Sequence, residues 1–593
     1  MNKDVIEALE AEISTLPIGY ISKKMINGKT RFYHQWTEYG KKKSKYVDDE
    51  TAEQLRLLIE KRRQLQQQLK TARALVPKVK AKKTKTDYQF NTEVKIGESL
   101  LKIANSVASY QKRDGYAKLE DYLCHEYDGR VFVLCGLRRT GKTTLIRQAI
   151  GAMSKEDFEK TAFIQVKHGD SLANINFDMK WLLDHQYKYV FIDEITFADQ
   201  FVEGAALFSD IYASSGMKVV LSGADSLGFV FTEAEELYDR CIMLHTTLIP
   251  YREFERVLGV KGIDNYIRYG GTMSLGGVHY NRSSTFASAN DADAYVDSAI
   301  AHNIQHSLQF YRYGEHFRHL EELYEKNELT GVINRVVEDI NHRFTIDVLT
   351  HEFFSNDLGV SANNLRKSRN APTDILDRID KETFTAGLKE ALEILNKNEQ
   401  EIPIKDAHRI EIKEYLDLLD LTYDVPIETI PVKNQKKTQT VISQPGLRYA
   451  QAEAFVRQLM KDERFNDISA VERGSVIERI LNEIKGRMME DIVLLETTMA
   501  KPEKEVFQLR FAIGEFDMVV VDERVPVCEI YEIKHSDKVV PAQYCFLSDP
   551  EKQKATEFRY GRIIRKAVIY RGESTILDNG IECINVEEYL KSL

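Results

Sequence analysis

Two constellations in this 593-residue chain combine residue types and spacings that can do chemistry. The first is Gly136-Leu137-Arg138-Arg139-Thr140-Gly141-Lys142-Thr143, with Thr144 next, between the apolar run VFVLC (131–135) and the helix-forming stretch TTLIRQAI (143–150). Gly136 and Gly141 permit a tight loop whose backbone N–H groups surround phosphates, and the following helix N-terminus favours their negative charge. In this loop Arg139 and Thr140 complete the cradle. Lys142 reaches the β- and γ-phosphates, the Thr143 hydroxyl faces Mg²⁺, and Thr144 contacts the α-phosphate or supports the loop from behind. The run YVFIDEIT (189–196) then places Asp193 and Glu194 at the end of an apolar strand. Asp193 suits a hydrated Mg²⁺, and Glu194 suits the orientation or activation of an attacking water. The next apolar run, KVVLSG (218–223), contributes Ser222, a candidate sensor of the γ-phosphate or simply a strand-end cap. Arg240, beside CIMLHT (241–246), is a candidate arginine for transition-state charge, in its own subunit or from a neighbouring one; a surface charge is the alternative. The expected ligand is ATP with Mg²⁺.

The second constellation lies near the C-terminus. Glu532 and Lys534 are two apart on the predicted strand VCEIYEIK (527–534), so they project to one side. Asp517 opens the preceding strand, FDMVVVD (516–522), one hairpin away, and Glu490 lies on the helix before it. Carboxylates on adjacent strands can hold a hard Mg²⁺ that activates water, while a nearby lysine adds positive charge. Asp517 and Glu532 are the candidate metal ligands here, with Glu490 a third carboxylate. A cross-strand salt bridge to Lys534 is the alternative use of the same residues.

The elements that must position these residues follow from periodicity. Residues 95–260 alternate helical stretches with VFVLC, TAFIQV, YVFID, KVVLSG and CIMLHT, the pattern of a parallel, doubly wound α/β sheet. Residues 261–402 read as helical, with a helix-turn-helix pattern at 348–368, a turn at Leu358–Ser361 and a polar insertion at 366–374. In 403–470 the helix IEIKEYLDLLDL precedes β segments PIETIPV and QTVIS, the outline of a winged helix, a module that binds DNA or joins domains. Residues 471–593 open with a long helix and continue through FQLRFA, FDMVVVD, VCEIYEIK and KAVIYR as a compact α/β domain. The fold class is therefore α/β and multidomain, in keeping with a length that predicts about four domains at roughly 150 residues each.

Charge separates one further piece. The formal net charge is −10, yet residues 1–90 carry 20 Lys and Arg against 11 Asp and Glu, whereas the remainder carries 62 against 81. In residues 1–77 three β-prone runs (YISKKMI, KTRFYHQW, KKKSKYV) are divided by turns at Asn27-Gly28 and Tyr39-Gly40. They interleave Lys23, Lys24, Lys29, Arg31, Lys41, Lys42, Lys43 and Lys45 with Tyr20, Phe32, Tyr33, Trp36 and Tyr39, a mixture suited to phosphates and stacked bases, or else a solvated face. Asp48 and Asp49 cap a following helix with Leu55, Leu58, Ile59 and Leu65 near one stripe, suited to packing, a coiled coil or a partner. Residues 78–94 form a basic linker containing KVKAKKTKT. Six scattered cysteines argue against a disulfide framework or a zinc site, and no apolar run approaches the ~20 residues of a membrane span. A cytoplasmic setting, without membrane contact, is the expectation.

Taken in order, these pieces resemble the prokaryotic AAA+ ATPases of the archaeal-ATPase type that carry a winged helix and a C-terminal restriction-endonuclease-like (PD-(D/E)xK) domain. The resemblance rests on 136–145, 189–196, VVLSGADS (219–226), the Asp239-Arg240 to PYREF stretch (239–254), YIRYGGT (266–272), QPGLRY (444–449), Gly486 to Glu490, EFD (515–517) and EIK (532–534). It implies an ATPase built on Lys142, Thr143, Asp193 and Glu194, and a nuclease core built on Glu490, Asp517, Glu532 and Lys534. Ala224 departs from the serine this family prefers. The expected activity is ATP hydrolysis controlling a Mg²⁺-dependent DNA endonuclease, with DNA the favoured nucleic acid and a homo-oligomer or a protein partner compatible with it. Defence against mobile elements or DNA processing would use such an activity. A nucleotide-operated switch that grips nucleic acid or protein without cutting is the rival, and a protein-remodelling ATPase is a third reading.

Overall fold

The computed structural model describes residues 16–17, 20–26, 29–38, 41–75, 88–224, 228–229, 236–246, 248–271, 300–302, 304–305, 317–326, 328–354, 404–431, 437–459, 469–522 and 524–593. The two expected N-terminal turns, the 78–86 basic run, and the Leu358–Ser361 turn with its polar insertion lie outside these residues. The chain divides into two compact units, Met1–Gln89 and Phe90–Leu593.

In the first unit the three β-prone runs form an antiparallel sheet, β1 (Tyr20–Ile26), β2 (Lys29–Glu38) and β3 (Lys41–Val47), in that order. Helix α1 (Asp49–Leu75) follows, and the Asp48 carboxylate accepts from Thr51 N at 2.8 Å, satisfying one N–H that the first turn leaves free. Val47, Ala52, Ile59 and Leu65 are buried, whereas Leu58 of the expected stripe is exposed.

The second unit begins with β4 (Glu93–Lys95), β5 (Val131–Cys135), β6 (Thr161–Gln165), β7 (Tyr189–Asp193), β8 (Lys218–Ser222) and β9 (Cys241–His245). They form one sheet ordered β4-β6-β7-β8-β5-β9, parallel except for β4. Helices α2 (Gly97–Asn105), α3 (Tyr116–Cys124), α4 (Lys142–Gly151) and α5 (Leu172–Asp184) accompany it. Alternate residues of β5 enter two different cores, Val131, Val133 and Cys135 one and Phe132 and Leu134 the other. That two-sided burial is why these strands read as continuous apolar runs.

Beyond β9 come α6 (Tyr251–Leu258), α7 (Ile263–Tyr269), α8 (Arg318–Glu325), α9 (Leu329–Phe354) and α10 (Asp406–Leu418). The second sheet comprises β10 (Thr422–Thr429), β11 (Lys437–Ile442), β12 (Glu505–Arg510), β13 (Glu515–Asp522), β14 (Val527–Lys534), β15 (Arg562–Tyr570), β16 (Thr575–Ile576) and β17 (Glu582–Asn585). Its order is β11-β10-β12-β13-β14-β15-β17-β16, with α11 (Pro445–Leu459), α12 (Ala470–Ala500), α13 (Pro550–Tyr560) and α14 (Val586–Ser592) alongside.

The β segments expected as the wing of 403–470 do not stand alone. The β10–β11 hairpin forms as expected, but β10 pairs in parallel with β12 through Ile427↔Gln508, so the hairpin is the edge of the C-terminal sheet. The divisions expected at 260/261 and 470/471 do not separate cores either. Tyr251, Phe254, Tyr266 and Ile267 share one buried cluster with Val456, Ile484, Met489, Met518, Tyr531 and Ile569. Helices α6 and α7 thus leave the first sheet and are packed into the C-terminal core. Among the described residues no helix is long and apolar enough to cross a membrane.

Candidate nucleotide site and carboxylate–lysine site

Parallel pairing brings the ends of β5, β7 and β8 to one sheet edge, with Leu134 beside Ser222 and Ile192 beside Leu221. Ligands of open α/β sheets bind outside the carboxyl ends of such strands. The loop after β5 is bent by Gly136 (φ +130°), Arg139 (φ +66°) and Gly141 (φ +92°). A Cβ at Gly136 would stand 2.7 Å from Thr246 O, so only glycine lets β5 pass this close to the end of β9. Thr140 is fully buried, its hydroxyl 2.8 Å from Leu137 O and 2.9 Å from Thr246 Oγ1.

Lys142 opens α4 and folds back into its loop, donating to Gly136 O at 2.7 Å and Leu137 O at 2.8 Å. Burial pulls its pKa down, while Glu194 and Asp193 oppose that shift. Thr143 Oγ1 donates to Asp193 Oδ2 at 2.9 Å, and Ser222 Oγ donates to Asp193 Oδ1. Asp193 is buried, and its oxygens together with Thr143 Oγ1 form a hard-oxygen set that fits Mg²⁺. Thr144 is partly buried in the first turn of α4. Glu194 adopts a left-handed backbone (φ +57°), and its Oε2 accepts from Ala224 N at 3.1 Å. Burial raises the Glu194 pKa, Lys142 opposes it and Asp193 adds to it, an environment suited to a proton acceptor. The contact from residue 224 is made by its backbone N–H, which alanine supplies as serine would.

Arg240 does not meet the other candidates at this edge. Val131 pairs with Cys241 and Cys135 with His245, so Arg240 stands at the amino-terminal edge of the sheet, about 17 Å of strand from the phosphate loop. There it pairs with Asp210 at 3.0 Å and donates to Glu236 O at 3.0 Å. A role at its own subunit's phosphates is excluded by that register.

Sequence gave no hint of Arg113, a buried side chain between α2 and α3. It donates to Thr140 O at 2.6 Å, to Leu248 O at 2.8 Å and to Glu253 Oε2 at 2.8 Å, tying the phosphate loop to α6. Its partners lie 27, 135 and 140 residues away, beyond any local pattern.

In the C-terminal sheet Met518 faces Tyr531, and one step along this antiparallel register sets Asp517 opposite Glu532. Both are buried. Lys534 Nζ lies 2.8 Å from Asp517 Oδ2 and 2.8 Å from Glu532 Oε2, and Asp517 Oδ2 also accepts from Ile533 N at 2.7 Å. Burial disfavours the Lys534 charge, but Asp517, Glu532 and Glu490 outweigh it and push its pKa up. Burial raises Glu532 against the pull of Lys534, and its Oε1 has no hydrogen-bond partner. Two opposed carboxylates with an oxygen still open form a donor set that fits a divalent cation. Glu490 is paired with Arg487, burial raises its pKa to about 8, and the charges of Asp517 and Lys534 act on it as well. Among the described residues no group of three or more His, Cys, Asp and Glu converges as a metal site.

The family model described as AAA domain matches residues 128–255, and that of a domain of unknown function (DUF6788) matches residues 3–57. No curated protein matches the chain. Among solved structures, the Aeropyrum pernix ORC1 protein in complex with DNA is similar at 13% identity, over 59% of this chain and 94% of that one, with a TM-score of 0.22. A structure on katanin self-assembly is similar at 17% identity, over 39% of this chain and 77% of that one, with a TM-score of 0.17. The phosphate loop, the parallel sheet and the match across 128–255 make this part of the chain an AAA+ ATPase-type domain.

Proposed function

We propose that this protein binds and hydrolyses ATP with Mg²⁺, and that its nucleotide state controls a metal-dependent DNA endonuclease site in the C-terminal sheet. The observation that carries the ATPase half is the meeting of Lys142, Thr143, Asp193, Glu194 and Ser222 at one sheet edge. Lys142 and the loop N–H groups would bind phosphates, Thr143 and Asp193 would hold Mg²⁺, which would supply charge to the phosphates, and Glu194 would accept a proton from the attacking water. Ser222 orients Asp193. The test is steady-state ATP turnover: Lys142→Ala should reduce it at least ~100-fold, since the cation that stabilises transferring phosphate is lost. Turnover at the wild-type rate would show the loop assignment to be wrong.

The nuclease half is supported by Asp517, Glu532 and Lys534 on adjacent strands and by the open oxygen of Glu532. Asp517 and Glu532 would hold the cation, which lends charge to a phosphate, and Lys534 would donate to phosphate oxygen once released from the carboxylates. Nucleic acid is the proposed partner of the first unit, where Arg31 lies 5.8 Å from the Tyr46 ring and Lys45 and Tyr46 are exposed. The closed ion pairs of Lys534 and of Glu490 with Arg487 favour the second reading, a nucleotide-operated switch that binds without cutting. An Arg240 contribution to a neighbouring subunit's site belongs to the same proposal, in a homo-oligomer.

A further inference from the structure

Helix α6 is gripped at two places by buried side chains that belong to different ends of the second unit. On one side, Glu253 in its first turn takes the Arg113 guanidinium, whose remaining donors hold Thr140 O inside the phosphate loop and Leu248 O just before α6. On the other, Tyr251 N donates to Glu496 Oε1 of α12 at 2.8 Å, and Tyr266 OH of α7 donates to the same oxygen at 2.7 Å. Glu496 lies six residues beyond Glu490 on one unbroken 31-residue helix. Helix α7 adds a second hold: Asp264 Oδ1 lies 2.9 Å from His535 Nε2, directly after Lys534, and its Oδ2 lies 3.1 Å from Arg571. The α6–α7 pair is therefore linked through Arg113 to the phosphate loop, and it bonds the helix carrying Glu490 and the residue that follows Lys534.

A planar guanidinium whose three nitrogens all donate gives a stiff link, unlike a flexible ammonium. Packed helices move as bodies between discrete arrangements, and two sites are coupled when both bias such an element. We propose that Arg113 is a positioning residue that couples the phosphate loop to α12: phosphate binding that shifts the Thr140 peptide is passed through Arg113 and Glu253 to α6, and through Tyr251 and Glu496 to the helix bearing Glu490. This rests on the loop binding nucleotide, and it does not require the C-terminal site to cut.

The test is hydrogen–deuterium exchange of the full chain at saturating non-hydrolysable ATP analogue, with nucleotide affinity measured separately by titration. In wild type, peptides within 485–500 should change exchange rate by about twofold or more on binding. Glu253→Gln keeps the shape of the side chain and removes its charge; it should bind nucleotide yet lose most of the change in 485–500. Arg113→Lys should do the same at saturation, and it gives a second arm should one variant fold poorly. Nucleotide binding by wild type with no change in 485–500, or a full response in both variants, would overturn the coupling. Absence of nucleotide binding by wild type would instead overturn the ATP reading, and the coupling with it.

Discussion

Asp193 collects the Thr143 and Ser222 hydroxyls on its two oxygens, and the Glu194 carboxylate next to it turns the other way toward Ala224 N. Adjacent acids thus face different partners, and the second of them, Glu194, holds a left-handed backbone. Register assigns Arg240 just as firmly. Placed at the far edge of the sheet, it should leave ATP turnover of the dilute chain within about twofold when changed to Ala, whereas a true arginine finger is worth ~10³ or more. A large loss at low protein concentration would contradict the register argument; a loss that appears only as concentration rises would point to a neighbouring subunit. The placement of Lys142 and Asp193 was legible in sequence because each stands at a short, contiguous spacing after an apolar strand. Arg113 was not, since its meaning resides in contacts with three distant segments. The alternative salt-bridge reading of Lys534 was legible too, and the structure has both carboxylates on that ammonium.

Helix α12 joins the two halves of the second unit and buries Glu496 where water cannot solvate it. Burial pushes the Glu496 pKa up to about 7, with the Tyr251 N–H, the Tyr266 hydroxyl and Arg252 pulling it down and Glu253 pushing it further up. The folded chain therefore keeps this proton to a higher pH than the unfolded chain, whose ordinary value is 4.5. The stability it contributes is complete below that ordinary value and is lost as pH rises through about 7. Glu496→Gln, neutral throughout, should lose about 1 kcal/mol less stability than wild type between pH 6 and 8, read from denaturant midpoints. Identical pH dependence of the two proteins would mean that Glu496 is ionised in the fold. At this scale the sequence showed the strands of β10 and β11 but not their sheet. Hairpin pairing is local, whereas the parallel partner β12 comes about 80 residues later and is chosen by a core that no short window contains.

The whole chain is a basic three-stranded unit and a larger unit in which an AAA+ ATPase-type sheet hands its last strand directly to helices embedded in the C-terminal core. The charge contrast between the two was visible from composition; the shared core was not, because apolar residues at helical spacing do not say which helix they meet. The proposed coupling between the nucleotide and carboxylate sites would run through that shared core, so the nuclease proposal is best tested with the full chain. The decisive measurement is cleavage of plasmid and linear DNA with Mg²⁺ or Mn²⁺, with and without ATP, by wild type, Asp517→Ala and Lys142→Ala. The account predicts cutting by wild type that depends on ATP, is abolished by Asp517→Ala, and no longer responds to ATP in Lys142→Ala. No cutting under any condition, with ATP turnover intact, would contradict it and leave a nucleotide-operated binding protein in its place.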